Sequence, residues 1–107
     1  NKLDSIYVVP NPYVVTNVLE QLDLQNPMDR GPRKIYFTNL PKKCTISIYT
    51  VSGDLVKTLE HHSSVDYSQE HWDLTTKDNF PLAFGVYIYH VNAPGIGEKM
   101  GRFAVIK

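Results

Sequence analysis

Apolar residues recur at every second position in one segment after another of this 107-residue chain, and helical spacing hardly appears, residues 17–29 with Leu19, Leu22 and Leu24 reading as a single helical turn or a loop packed by its leucines. Neighbouring side chains on a strand point to opposite faces, so alternation of this kind buries one face and wets the other. The core therefore has to be built from sheets. Residues 6–9 (Ile-Tyr-Val-Val) read as a first strand, stopped by Pro10 and Pro12, which lack the N–H a ladder needs. Residues 33–40 set Ile35 and Phe37 against Lys34, Tyr36 and Thr38. After the turn at Pro41-Lys42-Lys43, residues 44–51 place Cys44, Ile46 and Ile48 on one side, and Val51-Ser52-Gly53-Asp54 supplies a tight turn. Residues 55–59 oppose Leu55, Lys57 and Leu59 to Val56 and Thr58, with polar residues 60–64 as a connection. A fifth strand lies within residues 65–74 and ends near Trp72, followed by a loop over 75–84. Residues 85–91 and 99–106 are the last two strands, joined through Pro94, Gly95 and Gly97.

Seven short strands with turn signals between them predict an all-β domain, a seven-stranded antiparallel immunoglobulin-like β-sandwich. The expected core is Ile35, Phe37, Leu40, Ile46, Ile48, Leu55, Leu59, Trp72, Tyr87, Tyr89, Val91, Phe103 and Val105, with Trp72 and Tyr87 burying about 150–250 Å² each. An irregular insertion at about residues 14–31, polar but carrying Leu19, Leu22 and Leu24, interrupts the strand pattern before Pro32. No internal repeat divides the chain. At this length a single domain buries about two-thirds of the surface its unfolded chain exposes, enough to fold as a monomer without a partner.

Charge and cysteine content narrow the chemistry. Eleven basic against eleven acidic residues leave no net field to gather phosphate, which argues against a nucleic-acid partner. No apolar run reaches the ~20 residues of a membrane-spanning helix. A single cysteine, Cys44, excludes an internal disulfide. The chain starts at Asn1, and the expectation is that it belongs to a longer polypeptide.

Each candidate for catalysis or ligand binding has a simpler structural reading. His61 and His62 are adjacent, so on an extended segment they face opposite ways and form no metal pair, and with His71 and His90 they read as solvated residues. Asp73, Asp78 and Asn79 share one loop, yet their spacing fits no calcium loop, and such residues commonly shape turns through backbone N–H groups. Gly95-Ile96-Gly97 is followed by no helix whose N-terminus would receive a phosphate. Cys44 lies in a strand pattern, where a buried inert thiol is the usual state, and no serine sits in a nucleophile elbow. No enzyme activity, cofactor or metal is expected. Tyr7, Tyr13, Tyr36, Tyr49 and Tyr67, whose faces the pattern does not assign, leave open a glycan-stacking module.

A set of short motifs then points to a family. Pro10-Asn11-Pro12, the run Ile48-Tyr49-Thr50-Val51-Ser52-Gly53, Trp72-Asp73, Gly85-Val86-Tyr87 and the closing Lys107 occur in an order that resembles the C-terminal immunoglobulin-like domains of large secreted proteins of the Bacteroidetes. In that family the domain is a sorting signal for the type IX secretion system, and related modules of flagellar hook-capping proteins share the Trp-Asp and Gly-x-Tyr segments. Thr50 and Asp54 depart from the Tyr-Asp-x-x-Gly-Arg form of the second motif, and the 14–31 insertion is longer than usual. The resemblance implies a non-catalytic sorting or attachment domain of a larger secreted or cell-surface protein. Its partners would be the secretion or cell-surface machinery and the rest of the parent polypeptide. It would reach the outer cell surface or the medium after export through the periplasm. Lys107, Arg102, Lys99, Gly85, Tyr87 and Gly53 are the recognition candidates, with the three cations expected to be solvated. The alternative is an extracellular spacer or binding module for glycan or protein.

Overall fold

The computed structural model describes residues 3–14 and 34–106. Among them there is no helix. Eight strands follow in order: β1 (Tyr7–Val9), β2 (Tyr13–Val14), β3 (Ile35–Leu40), β4 (Lys43–Thr50), β5 (Leu55–His62), β6 (Ser68–Trp72), β7 (Gly85–Ala93) and β8 (Gly97–Ile106). They form a three-stranded sheet of order β1-β3-β6 and a five-stranded sheet of order β2-β8-β7-β4-β5, packed as a sandwich.

The expectation of seven antiparallel strands is corrected on two points. Tyr13–Val14 is an additional strand, and it pairs parallel to β8, with Tyr13 opposite Val105 and Val14 opposite Ile106, so the larger sheet is mixed. Two residues between prolines and a polar run are too few to show alternation. The β-strand at 55–59 also continues to His62, so residues 60–62 are strand and not connection. Apart from Val14, the 14–31 insertion lies outside the described residues.

Aromatic rings from the two sheets meet in the core. Trp72 of β6 stands edge-on to Phe103 of β8, with centroids 6.1 Å apart, and Phe103 stacks on Tyr87 at 5.6 Å. Phe37 of β3 meets Tyr89 of β7 in a T-shaped contact at 5.4 Å. Trp72 also donates its indole N–H to the Thr75 carbonyl, which answers the one polar group that burial would otherwise strand. Eleven of the thirteen expected core residues are buried. Leu55 is not, being 44% exposed, and Leu59 is only partly buried against the core. The cause is a bulge: Ile48 faces Lys57 but Tyr49 faces Leu55, so Val56 is the extra residue on β5. One extra residue inverts the alternation beyond it, turning Val56 inward and Leu55 out.

Candidate functional site

The motif that carries the family resemblance at the start of the chain has a mechanical role. Residues 10–12 carry the chain from β1 in one sheet to β2 in the other, and the Asn11 side chain joins it to β8. Its amide nitrogen donates to the Arg102 carbonyl at 3.1 Å, and its oxygen accepts the Ala104 N–H at 3.1 Å. The carboxamide thus imitates one rung of a ladder where the flanking prolines cannot.

The recognition candidates separate into scaffold and surface. Tyr87 is buried, stacks on Phe103 and donates its hydroxyl to the Ala83 carbonyl at 2.7 Å, so it belongs to the core. Burial raises its pKa, as it does that of Tyr89. Gly53 closes the β4–β5 turn, donating its N–H to the Thr50 carbonyl at 3.0 Å. Gly85 opens β7 at φ 155, a backbone angle that side chains disfavour. Lys99 is half-buried opposite Val91, and its ammonium, at an exposed position, donates to the Asp4 carbonyl at 3.2 Å, so the expectation that it is free is corrected. Lys107 lies outside the described residues. Arg102 alone of the described candidates projects from an exposed position on the outer face.

That outer face is a surface the strand pattern places but does not single out. Val86, Ile88 and His90 of β7 stand beside Ala104, Arg102 and Met100 of β8 in register. Met100 is 65% exposed and Val86 46%, and His90 pairs with Glu98 across the strands at 3.2 Å. The arrangement is an apolar stripe with the Arg102 cation and the His90–Glu98 contact at its edge. It has the chemistry of a protein contact, since Arg and Met are enriched there. The unassigned tyrosines also separate: Tyr13 is buried, while Tyr7 and Tyr36 are exposed on the three-stranded sheet, Tyr36 within 6.4 Å of the His71 ring. Tyr67 is exposed beside β6 and Tyr49 is half-buried.

The 73–80 loop is shaped by its own hydrogen bonds. Thr75 donates to the Asp73 carboxylate at 2.6 Å, and the Thr76 hydroxyl accepts from the Asp78 and Phe80 N–H groups. Asp73 is therefore a turn residue here.

Sequence reasoning missed two polar groups of the core: Thr38, set with Lys34 and Tyr36 against the buried face, is itself buried and donates to the Tyr7 carbonyl at 3.3 Å, and His61 is the second. His61 is 3% exposed and is not solvated, contrary to its reading as a loop residue. Its Nδ1 lies 3.0 Å from Glu70 Oε1 and its Nε2 lies 2.7 Å from Ser68 Oγ. The signal was present: carrying the strand at 55–59 on to residue 61 puts Leu59 and His61 on one face, and Ser68, Glu70 and Trp72 alternate toward the same interior. Opposite His61 sits Cys44, whose thiol is pushed up to about 11 by burial first and then by the Glu70 and Glu60 charges. A thiol held protonated in this way is a poor nucleophile.

Neither a protein-family model nor a curated protein matches the chain. Solved structures do, two of them from one bacterium. One is PorZ of Porphyromonas gingivalis, described as an essential bacterial surface component of the type-IX secretion system; it is 26% identical with a TM-score of 0.71, over 99% of this chain and 12% of PorZ. The other is dimeric latent PorU of Porphyromonas gingivalis, 23% identical with a TM-score of 0.57, over 94% of this chain and 9% of PorU. At that identity PorU attests the fold alone. The chain thus spans a small part of either neighbour.

Proposed function

We propose that this chain is a non-catalytic, immunoglobulin-like sorting or attachment domain of a larger protein handled by the type IX secretion system, working at the outer cell surface or outside the cell. The observation that carries the reading is the PorZ likeness, which runs through 99% of the chain at 26% identity, with a protein named as a surface component of that system. The motif residues Asn11, Gly53, Gly85 and Tyr87 each hold a defined place in the fold, which supports the shared architecture and leaves the role to the PorZ likeness. Contact with the machinery would fall on the outer face of the five-stranded sheet, around Arg102, Met100 and Val86. Folding and contact require no cofactor.

The test uses the full parent protein in its own cell. Removing residues 1–107 should leave the remainder of the parent off the cell surface, and Arg102→Glu with Met100→Asp should do the same in a domain whose denaturation midpoint is unchanged. Normal surface delivery after the deletion would overturn the sorting role. The spacer or binding-module reading would then stand, favoured by the exposed Tyr7 and Tyr36 on the opposite sheet.

A further inference from the structure

A polar cluster around buried His61 joins the two sheets at β5 and β6, their outermost strands among the described residues. β5 ends the five-stranded sheet and β6 ends the three-stranded one, and His61 reaches from the former to Ser68 and Glu70 on the latter. Ser68 Oγ also lies 3.4 Å from the Leu40 carbonyl of β3, so a chain of polar contacts runs from β5 through β6 to β3. His61 and its register partner Cys44 are both nearly sealed from solvent, at 3% and 1% exposure.

Both ring nitrogens of His61 are engaged in either arrangement that keeps a proton on Nδ1, as its position against the Glu70 carboxylate requires. With Nδ1–H donating to Glu70, Nε2 accepts the Ser68 hydroxyl proton. With both nitrogens protonated, Nε2–H donates to Ser68 Oγ and the Ser68 hydroxyl is released to the Leu40 carbonyl. Either way two bonds cross between the sheets. Removing one partner leaves a buried imidazole nitrogen unanswered, and the group then gains by turning out to water.

We propose that His61, Glu70 and Ser68 form an inter-sheet latch that closes the β5/β6 side of the sandwich over Cys44, so that cutting the latch lets this side open while the remaining strands stay folded. The neighbouring contacts fit a boundary of this kind. Among the described residues β5 and β6 are each paired on one side only, and the chain between them is held by the Ser63 N–H on the Lys42 carbonyl and the Val65 N–H on the Ser63 hydroxyl. Strands paired on one side are drawn from the less stable part of a fold. The aromatic contacts of Trp72, Phe103 and Tyr87 lie along the strands away from Ser68, beyond the reach of the opening.

Cys44 is the reporter, as the only cysteine in the chain. Its reaction with a disulfide reagent is followed under native conditions in the wild type, Ser68→Ala, Glu70→Ala and Val105→Ala, the last a core change on β8 outside the latch. Ser68→Ala and Glu70→Ala should speed labelling at least about tenfold beyond the rate their global unfolding explains, and the labelling rate should depend only weakly on urea. Ser68→Ala removes one hydroxyl and keeps the test available if Glu70→Ala does not fold. Latch variants and Val105→Ala falling on one line of labelling rate against global stability, all with a steep urea dependence, would overturn the proposal.

Discussion

Gly101→Ala gives the most direct test of the packing, because two physical effects predict opposite signs. In a strand, replacing Gly by Ala at an ordinary φ removes freedom from the unfolded chain and stabilises by about 0.4–1 kcal/mol. Gly101 lacks the positive φ that would reverse this preference. It does, however, stand opposite Tyr89, whose ring lies flat over it: a Cβ at position 101 would sit 2.8 Å from Cε1 and closer still to Cζ and Oη. The ring has little freedom to yield. It is buried, and its other flank meets Phe37 edge-on at 5.4 Å. Forcing an extra carbon into such a contact costs about 1–3 kcal/mol, more than the entropic gain. The net expectation is destabilisation by roughly 1–2 kcal/mol, or about 4–8 °C in melting temperature for each kcal/mol. Trp72 is the sole tryptophan and reports unfolding by its fluorescence. Urea denaturation of Gly101→Ala, Tyr89→Leu and the double variant forms a cycle in which the penalty of Gly101→Ala should disappear once the ring is removed. A stabilised Gly101→Ala in the wild-type background would show that Tyr89 does not cover position 101, and the reasoning would fail.

Two further outcomes follow from the same contacts. Asn11→Ala removes both side-chain bonds to β8 and should cost about 1–2 kcal/mol, while Asn11→Asp keeps the acceptor for Ala104 N–H and loses the donor to Arg102 O, costing less; equal losses in the two variants would mean that the bonds contribute nothing separately. The Cys44 thiol ionises near 9 when unfolded and near 11 when folded, so above pH 9 the unfolded state binds fewer protons and stability falls as pH rises. That single group removes about 2–3 kcal/mol between pH 9 and 11, with Tyr87 and Tyr89 adding a loss of the same sign from about pH 10 upward; Cys44→Ala should flatten the part that begins near pH 9, and an unchanged alkaline profile would contradict it.

The sandwich was legible where alternation ran for five or more residues without a bulge. Ile35, Phe37, Ile46, Ile48, Tyr87, Tyr89, Phe103 and Val105 all fall on the interior face that period two assigns them. Failures came where a local event broke the period or the segment was too short to show one. The bulge at Val56 exchanged the faces of Leu55 and Val56, and nothing in Leu-Val-Lys-Thr-Leu marks where an extra residue is accommodated. β2 is two residues long and held by a side chain from the preceding motif, which is a tertiary fact. His61 was hidden by its polarity: a histidine in a polar run reads as solvated until Ser68 and Glu70, seven and nine residues on, are seen to answer both of its nitrogens.

The same distinction bears on what the family motifs can say about recognition. Asn11 fastens β2 to β8, Gly53 closes a turn, Gly85 opens β7 and Tyr87 fills the core, so the segments that made the resemblance legible are those the fold needs. A spacer of the same fold would need them equally. A sorting role has to be read from residues the fold leaves free to vary, and among the described residues Arg102, Met100 and Val86 meet that condition, while Lys99 and Tyr87 are committed to Asp4 and Phe103. Loss of delivery on changing Tyr87 would therefore be ambiguous, since an unfolded domain fails at any task. Loss of delivery on changing Arg102 and Met100, in a domain that melts as before, has no such second explanation.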